Sequence, residues 1–175
     1  MEHQNNIIVG ISTGDINGIG IEIILKTFDD KRMLELCTPV LFASKKIISK
    51  YKSILNTEIN FQTIQDIENI ISGKFNLINV WNDDVEISFG KNNKEGGKYA
   101  LLSLDAAVKE LNNGKIDILV TPPINKNTIQ SETFDFPGHT EYLEKNLEGK
   151  ALMILMHDKL KVALLTGHIS LDKVC

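Results

Sequence analysis

Short runs of β-branched and aliphatic residues alternate with helical patterns along most of this chain. This alternation constrains the fold more than any other feature. The predicted strands are residues 7–11, 39–43, 58–64, 75–80 and 116–121. Helical patterns lie between them, and the clearest covers residues 97–112, where Leu101, Leu104 and Val108 fall on one stripe. Because parallel strands need a crossover that a helix supplies, we predict an α/β fold with a largely parallel sheet and flanking helices.

Weaker patterns predict smaller elements. Two apolar runs, residues 151–156 and 160–166, are separated by three residues and predict a hairpin. The polar stretch 82–97 reads mostly as a loop with a short strand at 85–87, and residues 67–71 predict a short helix. Ser170 is a plausible N-cap for a further helix.

The composition limits the classes of protein to consider. At 175 residues the chain has the size of one domain, so we expect a single α/β unit over residues 1–175. A net charge of −4 gives no electrostatic support for nucleic-acid binding. No apolar run approaches the roughly 20 residues that span a membrane, and residues 1–6 lack a basic signal-peptide region. With only two cysteines as well, we expect a cytoplasmic protein.

A glycine-rich turn over residues 12–20 lies between the first strand and the first helical pattern. Strand, glycine-rich turn and helix is an arrangement that points backbone N–H groups at an anion. The spacing is not G-x-G-x-x-G, so the turn is no dinucleotide-binding fingerprint. A tight turn that binds nothing remains an equal alternative.

The candidate site residues are two histidines, a threonine and a lysine. His139 and His168 each follow a glycine, and a neutral imidazole can bind a metal or exchange hydrogen bonds. Thr140 beside His139 adds a second polar group for an anionic oxygen. Lys126 follows the strand at 116–121, where ligands bind in open α/β sheets, and could meet a phosphate or carboxylate. Because all three residues follow predicted strands or open helices on one side of the sheet, we expect His139 and Thr140 at one pocket mouth with Lys126 nearby. The alternatives are loop histidines with structural hydrogen bonds and a solvated lysine.

Four motifs carry a family resemblance. G-D-I-N-G-I-G-I-E at residues 14–22 resembles G-D-P-A-G-I-G-P-E, and T-P-P-I-N-K at 121–126 resembles T-A-P-I-N-K. F-P-G-H-T-E at 136–141 matches its family pattern in full, and residues 153–171 resemble a hairpin ending in T-T-H-x-P-L. In this order, and along all 175 residues, they resemble the 4-hydroxythreonine-4-phosphate dehydrogenase family of pyridoxal phosphate biosynthesis.

The resemblance implies a fold, a reaction and several residue roles. The fold is isopropylmalate-dehydrogenase-like, and the active site lies at the interface of a homodimer. The reaction oxidises and decarboxylates 4-phosphohydroxy-L-threonine with NAD and a divalent metal, for which zinc, magnesium and cobalt are candidates. His139 and Thr140 would bind substrate, and His168 would bind the metal. Catalytic and cofactor-binding residues in this stretch stay unassigned.

The chain departs from the family in sequence and in length. Ile16 and Ile21 replace prolines, and Gly167 stands where the family often has threonine. Family chains are nearly twice as long, and their N-P-H-A-G-E and H-D-Q-G segments, which carry two further metal histidines, do not occur here. We therefore expect the N-terminal portion of a family chain, truncated and inactive alone. The alternatives are a relative acting on 4-phosphoerythronate or 4-phosphothreonate, and a non-catalytic fragment.

Overall fold

The computed structural model describes residues 7–131, 134–166 and 169–174. Its strands are β1 (Ile8–Ile11), β2 (Thr38–Ala43), β3 (Gln62–Ile64), β4 (Asn76–Asn79), β5 (Ile118–Val120), β6 (Met153–His157) and β7 (Leu160–Leu164). Its α-helices are α1 (Gly20–Asp29), α2 (Met33–Leu36), α3 (Lys45–Leu55), α4 (Lys94–Asn112) and α5 (His139–Asn146). Short 3-10 helices cover Ile67–Asn69 and Leu171–Lys173. Within these ranges, no helix combines the length and the apolar character needed to cross a membrane.

Five parallel strands form the main sheet, in the order β3-β4-β2-β1-β5. The strands β6 and β7 form a separate antiparallel hairpin. The predicted α/β class with a largely parallel sheet is therefore confirmed. Because all five strands run the same way, the loops that follow β1, β2, β4 and β5 meet at one edge of the sheet.

Helices cover both faces of this sheet. On β2, Leu41 and Ala43 join the core that includes α1 and α3, while Val40 and Phe42 face the core on the side of α4. This split follows from the alternation of side chains along a strand. All six residues of β2 are buried, as expected for a strand covered on both faces.

Helix α4 buries the stripe that its sequence predicts. Leu101, Leu104 and Val108 are all buried. The helix begins three residues before the predicted start, because the Asn93 side chain caps it by accepting a 2.7 Å hydrogen bond from the Gly96 N–H. This capped start lies at the carboxyl edge of the sheet, beside the loops described below.

Several small elements differ from the sequence prediction. Residues 85–87 form no strand; Val85 is instead a buried side chain in the core beside α1 and α3. The predicted strand 58–64 shortens to β3, since Ile59 reaches the core without pairing its backbone. The helix predicted over 67–71 is a single 3-10 turn, and α2 was not predicted. Side-chain burial, rather than backbone pairing, accounts for the first two errors.

Two apolar surfaces are exposed in the described part of the chain. Every residue of β6 and β7 is exposed. At the outer edge of the sheet, Ile118 and Val120 of β5 are also exposed. Isolated two-stranded hairpins are marginally stable, and exposed apolar patches are typical of surfaces that pack against other protein.

Candidate functional site

The glycine-rich turn packs tightly against the loop that follows β5. Gly14 has a φ of +64°, and a Cβ on it would lie 2.5 Å from the carbonyl oxygen of Pro123. The Asp15 N–H donates a 3.0 Å hydrogen bond to that same oxygen. Glycine is therefore required here for the close approach of two protein segments. Two motifs that are far apart in sequence, residues 14–22 and 121–126, touch each other at this point.

The turn's backbone N–H groups are largely committed to protein acceptors. The N–H groups of Asn17 and Gly18 donate to the side chain and carbonyl of Asp15, at 2.9 and 3.0 Å. The Asn17 side chain donates to Asn93 Oδ1 at 3.0 Å and accepts from the Ser88 N–H at 2.8 Å. This arrangement favours the tight-turn interpretation over the anion-binding one.

A second loop, residues 121–128, is held in place by Asn125. The Asn125 Oδ1 accepts hydrogen bonds from the N–H groups of Asn127, at 3.0 Å, and Thr128, at 3.2 Å. The loop also lies directly on α4, since a Cβ on Gly97 would come within 1.8 Å of the Thr128 carbonyl oxygen. These contacts fix the loop while its tip residue, Lys126, stays exposed.

Lys126 lies next to the segment that leads into α5. A Cβ on Gly138 would be 3.8 Å from Lys126 Cε. The Lys126 ammonium also acts electrostatically on His139, the first residue of α5. The structure thus places Lys126 near His139, which Thr140 follows in sequence, while the shared pocket and the binding roles of the three residues stay predictions.

His139 is half-buried, and one of its ring nitrogens has no hydrogen-bond partner among the described residues. That nitrogen, Nε2, is buried. Burial, and secondarily the positive charge of Lys126, lower the pKa of His139 from its ordinary value of 6.5. The imidazole is therefore neutral at pH 7. Thr140, also half-buried, follows it in the first turn of α5.

A second contact holds α5, and the sequence did not point to it. Tyr142 is buried, stacks on Phe134 with ring centroids 5.1 Å apart, and meets Phe136 edge-on at 5.5 Å. Its hydroxyl donates a hydrogen bond to Asp105 of α4. Asp105 and Tyr142 are 37 positions apart, so no local pattern predicts the pair. The aromatic residues at 134, 136 and 142 were the available signal.

The predicted metal site depends on His168. His168 lies outside the described residues. Among the residues that are described, no three His, Cys, Asp or Glu side chains cluster closely enough to hold a metal ion. The described residues therefore do not by themselves fit a metal, and the glycine-rich turn, packed against Pro123, offers no cradle for a cofactor's phosphates.

Known proteins resemble this chain over almost its full length. It is 45% identical over 173 residues to a 4-hydroxythreonine-4-phosphate dehydrogenase of Bacteroides thetaiotaomicron, covering 98% of this chain and 48% of that protein. It is 30% identical over 176 residues to a Clostridium botulinum protein with the provisional name D-threonate 4-phosphate dehydrogenase, covering 98% and 53%. This chain spans about half the length of these curated relatives.

A solved structure and a family model agree with these relatives. The crystal structure of a 4-hydroxythreonine-4-phosphate dehydrogenase from Burkholderia phymatum superposes with a TM-score of 0.80 at 27% identity. The superposition covers 94% of this chain and 51% of that protein, which confirms the predicted half-length correspondence. The model of the family "Pyridoxal phosphate biosynthetic protein PdxA" matches residues 35–175. The chain therefore belongs to the PdxA family of pyridoxal phosphate biosynthetic proteins.

Proposed function

We propose that this chain is the substrate-binding N-terminal portion of a dehydrogenase of pyridoxal 5'-phosphate biosynthesis. The proposed reaction is the NAD-dependent, metal-dependent oxidation and decarboxylation of 4-phosphohydroxy-L-threonine. The proposal rests on the family and on the names of the relatives. Its local support is one observation: the buried Nε2 of His139 has no hydrogen-bond partner among the described residues, and the exposed Lys126 ammonium acts electrostatically on this imidazole.

His139 suits the recognition of a substrate oxygen. A buried nitrogen without a hydrogen bond is costly, by about 1–3 kcal/mol, and a ligand that supplies a partner removes this cost. Because the ring is neutral, it can donate from one nitrogen and accept at the other. A hydroxyl or carboxylate oxygen of the substrate matches either function.

Lys126 and Thr140 supply the remaining features of an anion site. The Lys126 ammonium attracts a phosphate or carboxylate as a mobile point charge. Thr140 lies in the first turn of α5, where the helix dipole also favours negative charge. Together the three residues would orient a small phosphorylated hydroxy acid without performing the chemistry themselves.

The redox chemistry needs groups beyond these residues. NAD would accept the hydride, and a divalent metal, which could be zinc, magnesium or cobalt, would polarise the substrate. The described residues fit neither group, so we assign the chain's own residues only to binding and orientation. We also propose that His168 binds the metal, that the enzyme is a cytoplasmic homodimer, and that residues 1–175 form one unit.

A second candidate function follows from the Clostridium botulinum relative. Its provisional name indicates D-threonate 4-phosphate, a substrate that shares the phosphate and hydroxy acid groups. His139, Thr140 and Lys126 would serve either substrate. A panel containing 4-phosphohydroxy-L-threonine, D-threonate 4-phosphate and 4-phosphoerythronate separates these possibilities.

The test measures binding and turnover separately. NMR titration of the 175-residue chain should show binding of 4-phosphohydroxy-L-threonine, and His139→Ala should weaken it at least about tenfold. His157→Ala, in an exposed residue at the end of β6, is the matched control and should bind normally. We expect no NADH formation by this chain with NAD and metal.

A chimaera supplies the second arm of this test. Joining this chain to the second half of the Bacteroides thetaiotaomicron relative should give NADH formation that depends on metal. Failure of the wild-type chain to bind any substrate of the panel would overturn the proposed function. Binding by the chain with an inactive chimaera would support the non-catalytic alternative instead.

A further inference from the structure

We propose that Asp105 and Tyr142 form a positioning pair that sets the orientation of α5, and with it the substrate-binding groups of His139 and Thr140. This inference rests on the proposed function, since it concerns the same site. The pair itself touches neither the substrate nor any cofactor in the proposal. It acts by holding the helix that carries both binding residues.

Tyr142 is the main anchor of α5, with the half-buried Leu143 packed in the same apolar cluster. Among the eight described residues of α5, Tyr142 is the buried one. Residues three apart on a helix share a face, so Tyr142 lies one turn after His139 on the same side. Rotation of α5 about its axis would therefore move the Tyr142 ring and the His139 imidazole together.

Aromatic packing alone leaves one motion unrestrained. Phe134 and Phe136 contact the Tyr142 ring at its face and edge, with centroids 5.1 and 5.5 Å away. Such contacts tolerate sliding within the ring plane. A hydrogen bond from the ring's far end to Asp105 Oδ1 has a defined direction and removes that freedom.

Asp105 offers a rigid acceptor for this bond. It lies on α4 directly after Ser103 and Leu104, which are both fully buried. Ser103 Oγ also donates a hydrogen bond to the carbonyl of Phe42 in β2. Asp105 therefore links α5 to α4, and α4 is in turn hydrogen-bonded to β2.

The environment of the pair is partly dry, which strengthens the bond. Burial raises the pKa of the Asp105 carboxyl, and the hydrogen bond from Tyr142 acts in the opposite direction. Burial and the neighbouring Asp105 raise the pKa of the Tyr142 hydroxyl well above its usual range. At neutral pH the phenol is therefore a permanent donor toward this acceptor.

The test uses three single variants and one double variant, which combines Tyr142→Phe with Asp105→Ala. Tyr142→Phe removes the donor and keeps the ring, and Asp105→Ala removes the acceptor. Asp105→Asn keeps an acceptor oxygen and is the conservative rescue. The probes are 4-phosphohydroxy-L-threonine affinity and the His139 ring resonances, read by NMR from the four histidines of the chain. His157 is the internal reference, and circular dichroism monitors folding.

A positioning role predicts a specific pattern. Tyr142→Phe and Asp105→Ala should each weaken affinity about 5- to 10-fold, and the double variant should be no weaker than either. Both single variants should shift the His139 resonances and leave those of His157 unchanged. Asp105→Asn should stay within about twofold of the wild type, because its amide oxygen still accepts the bond.

Other outcomes distinguish the possible failures. If both variants lower the melting temperature but leave the substrate affinity and the His139 resonances unchanged, the pair is merely structural and the inference is overturned. Additive losses in the double variant would also overturn it. If the wild-type chain does not bind the substrate, the proposed function fails, while the His139 resonances still decide whether the pair positions α5.

Discussion

Replacing Ser103 with alanine should destabilise the fold more than any ordinary serine substitution. Ser103 lies on α4 and is completely buried. Its Oγ accepts a 2.9 Å hydrogen bond from the Thr13 N–H and donates a 2.5 Å bond to the Phe42 carbonyl. One hydroxyl thus connects the end of β1, strand β2 and α4.

The magnitude follows from the group that loses its partner. Thr13 is also fully buried, so its N–H would have no water to replace the hydroxyl. An unsatisfied buried donor costs about 1–3 kcal/mol. Alanine returns at most about 0.5 kcal/mol through its better helix propensity. We expect a net loss of about 2 kcal/mol, which lowers the melting temperature by about 4–8 °C in a chain of this size.

Urea unfolding measures this loss through the protein's single tryptophan. Trp81 is buried and lies 5.0 Å, centroid to centroid, from Tyr99 of α4, so its fluorescence reports on this packing. Ser53→Ala, in an exposed position of α3, is the matched control and should change stability by less than about 0.5 kcal/mol. If Ser103→Ala unfolds at the same urea concentration as the wild type, the bridge has no energetic importance and the reasoning is wrong.

Two further predictions concern pH and association. The pKa of His139 is lower in the folded chain than in the unfolded chain, so the unfolded chain takes up the proton first as pH falls. The free energy of unfolding should therefore decrease as pH drops below about 6.5 and level off once the folded His139 is also protonated. His139→Gln should reduce this pH dependence in urea titrations, and an identical slope in the variant would contradict it. Leu155→Lys on the exposed β6 should reduce self-association in sedimentation velocity, whereas Ile54→Lys on α3, similarly exposed, should not. Equal self-association of the wild type and both variants would exclude the hairpin as the surface through which the chain associates.

The sequence predicts the sheet well because its signals are local. The β-branched runs and the stripe of α4 depend only on neighbouring residues, and both agree with the structure. The start of α4 was predicted three residues too late because Gly96 and Gly97 are poor helix formers. In the structure Gly97 is needed because Thr128 approaches too closely for a side chain, a tertiary requirement that no local pattern contains.

The candidate site was only partly predictable for a similar reason. Lys126 and His139 were expected near each other because each follows a predicted strand or opens a helix on one side of the sheet. The bond between Asp105 and Tyr142 was not expected, since it joins two helices that approach only when the chain folds. Val85 shows the opposite error: its apolar pattern predicted a strand, yet only its side chain is used, in the core.

The contacts of the described residues form one continuous support from the first motif to α5. Asp15 bonds to the Pro123 carbonyl, Asn125 fixes the loop that carries Lys126, and Lys126 lies against Gly138. Helix α4 braces both ends of this series, through its capped start and through Asp105. Under the proposed function, the three binding residues lie within this chain, whereas hydride transfer needs groups that its described residues do not supply. Binding and turnover should consequently separate experimentally, which is why the affinity of the 175-residue chain, rather than its activity, is the decisive measurement.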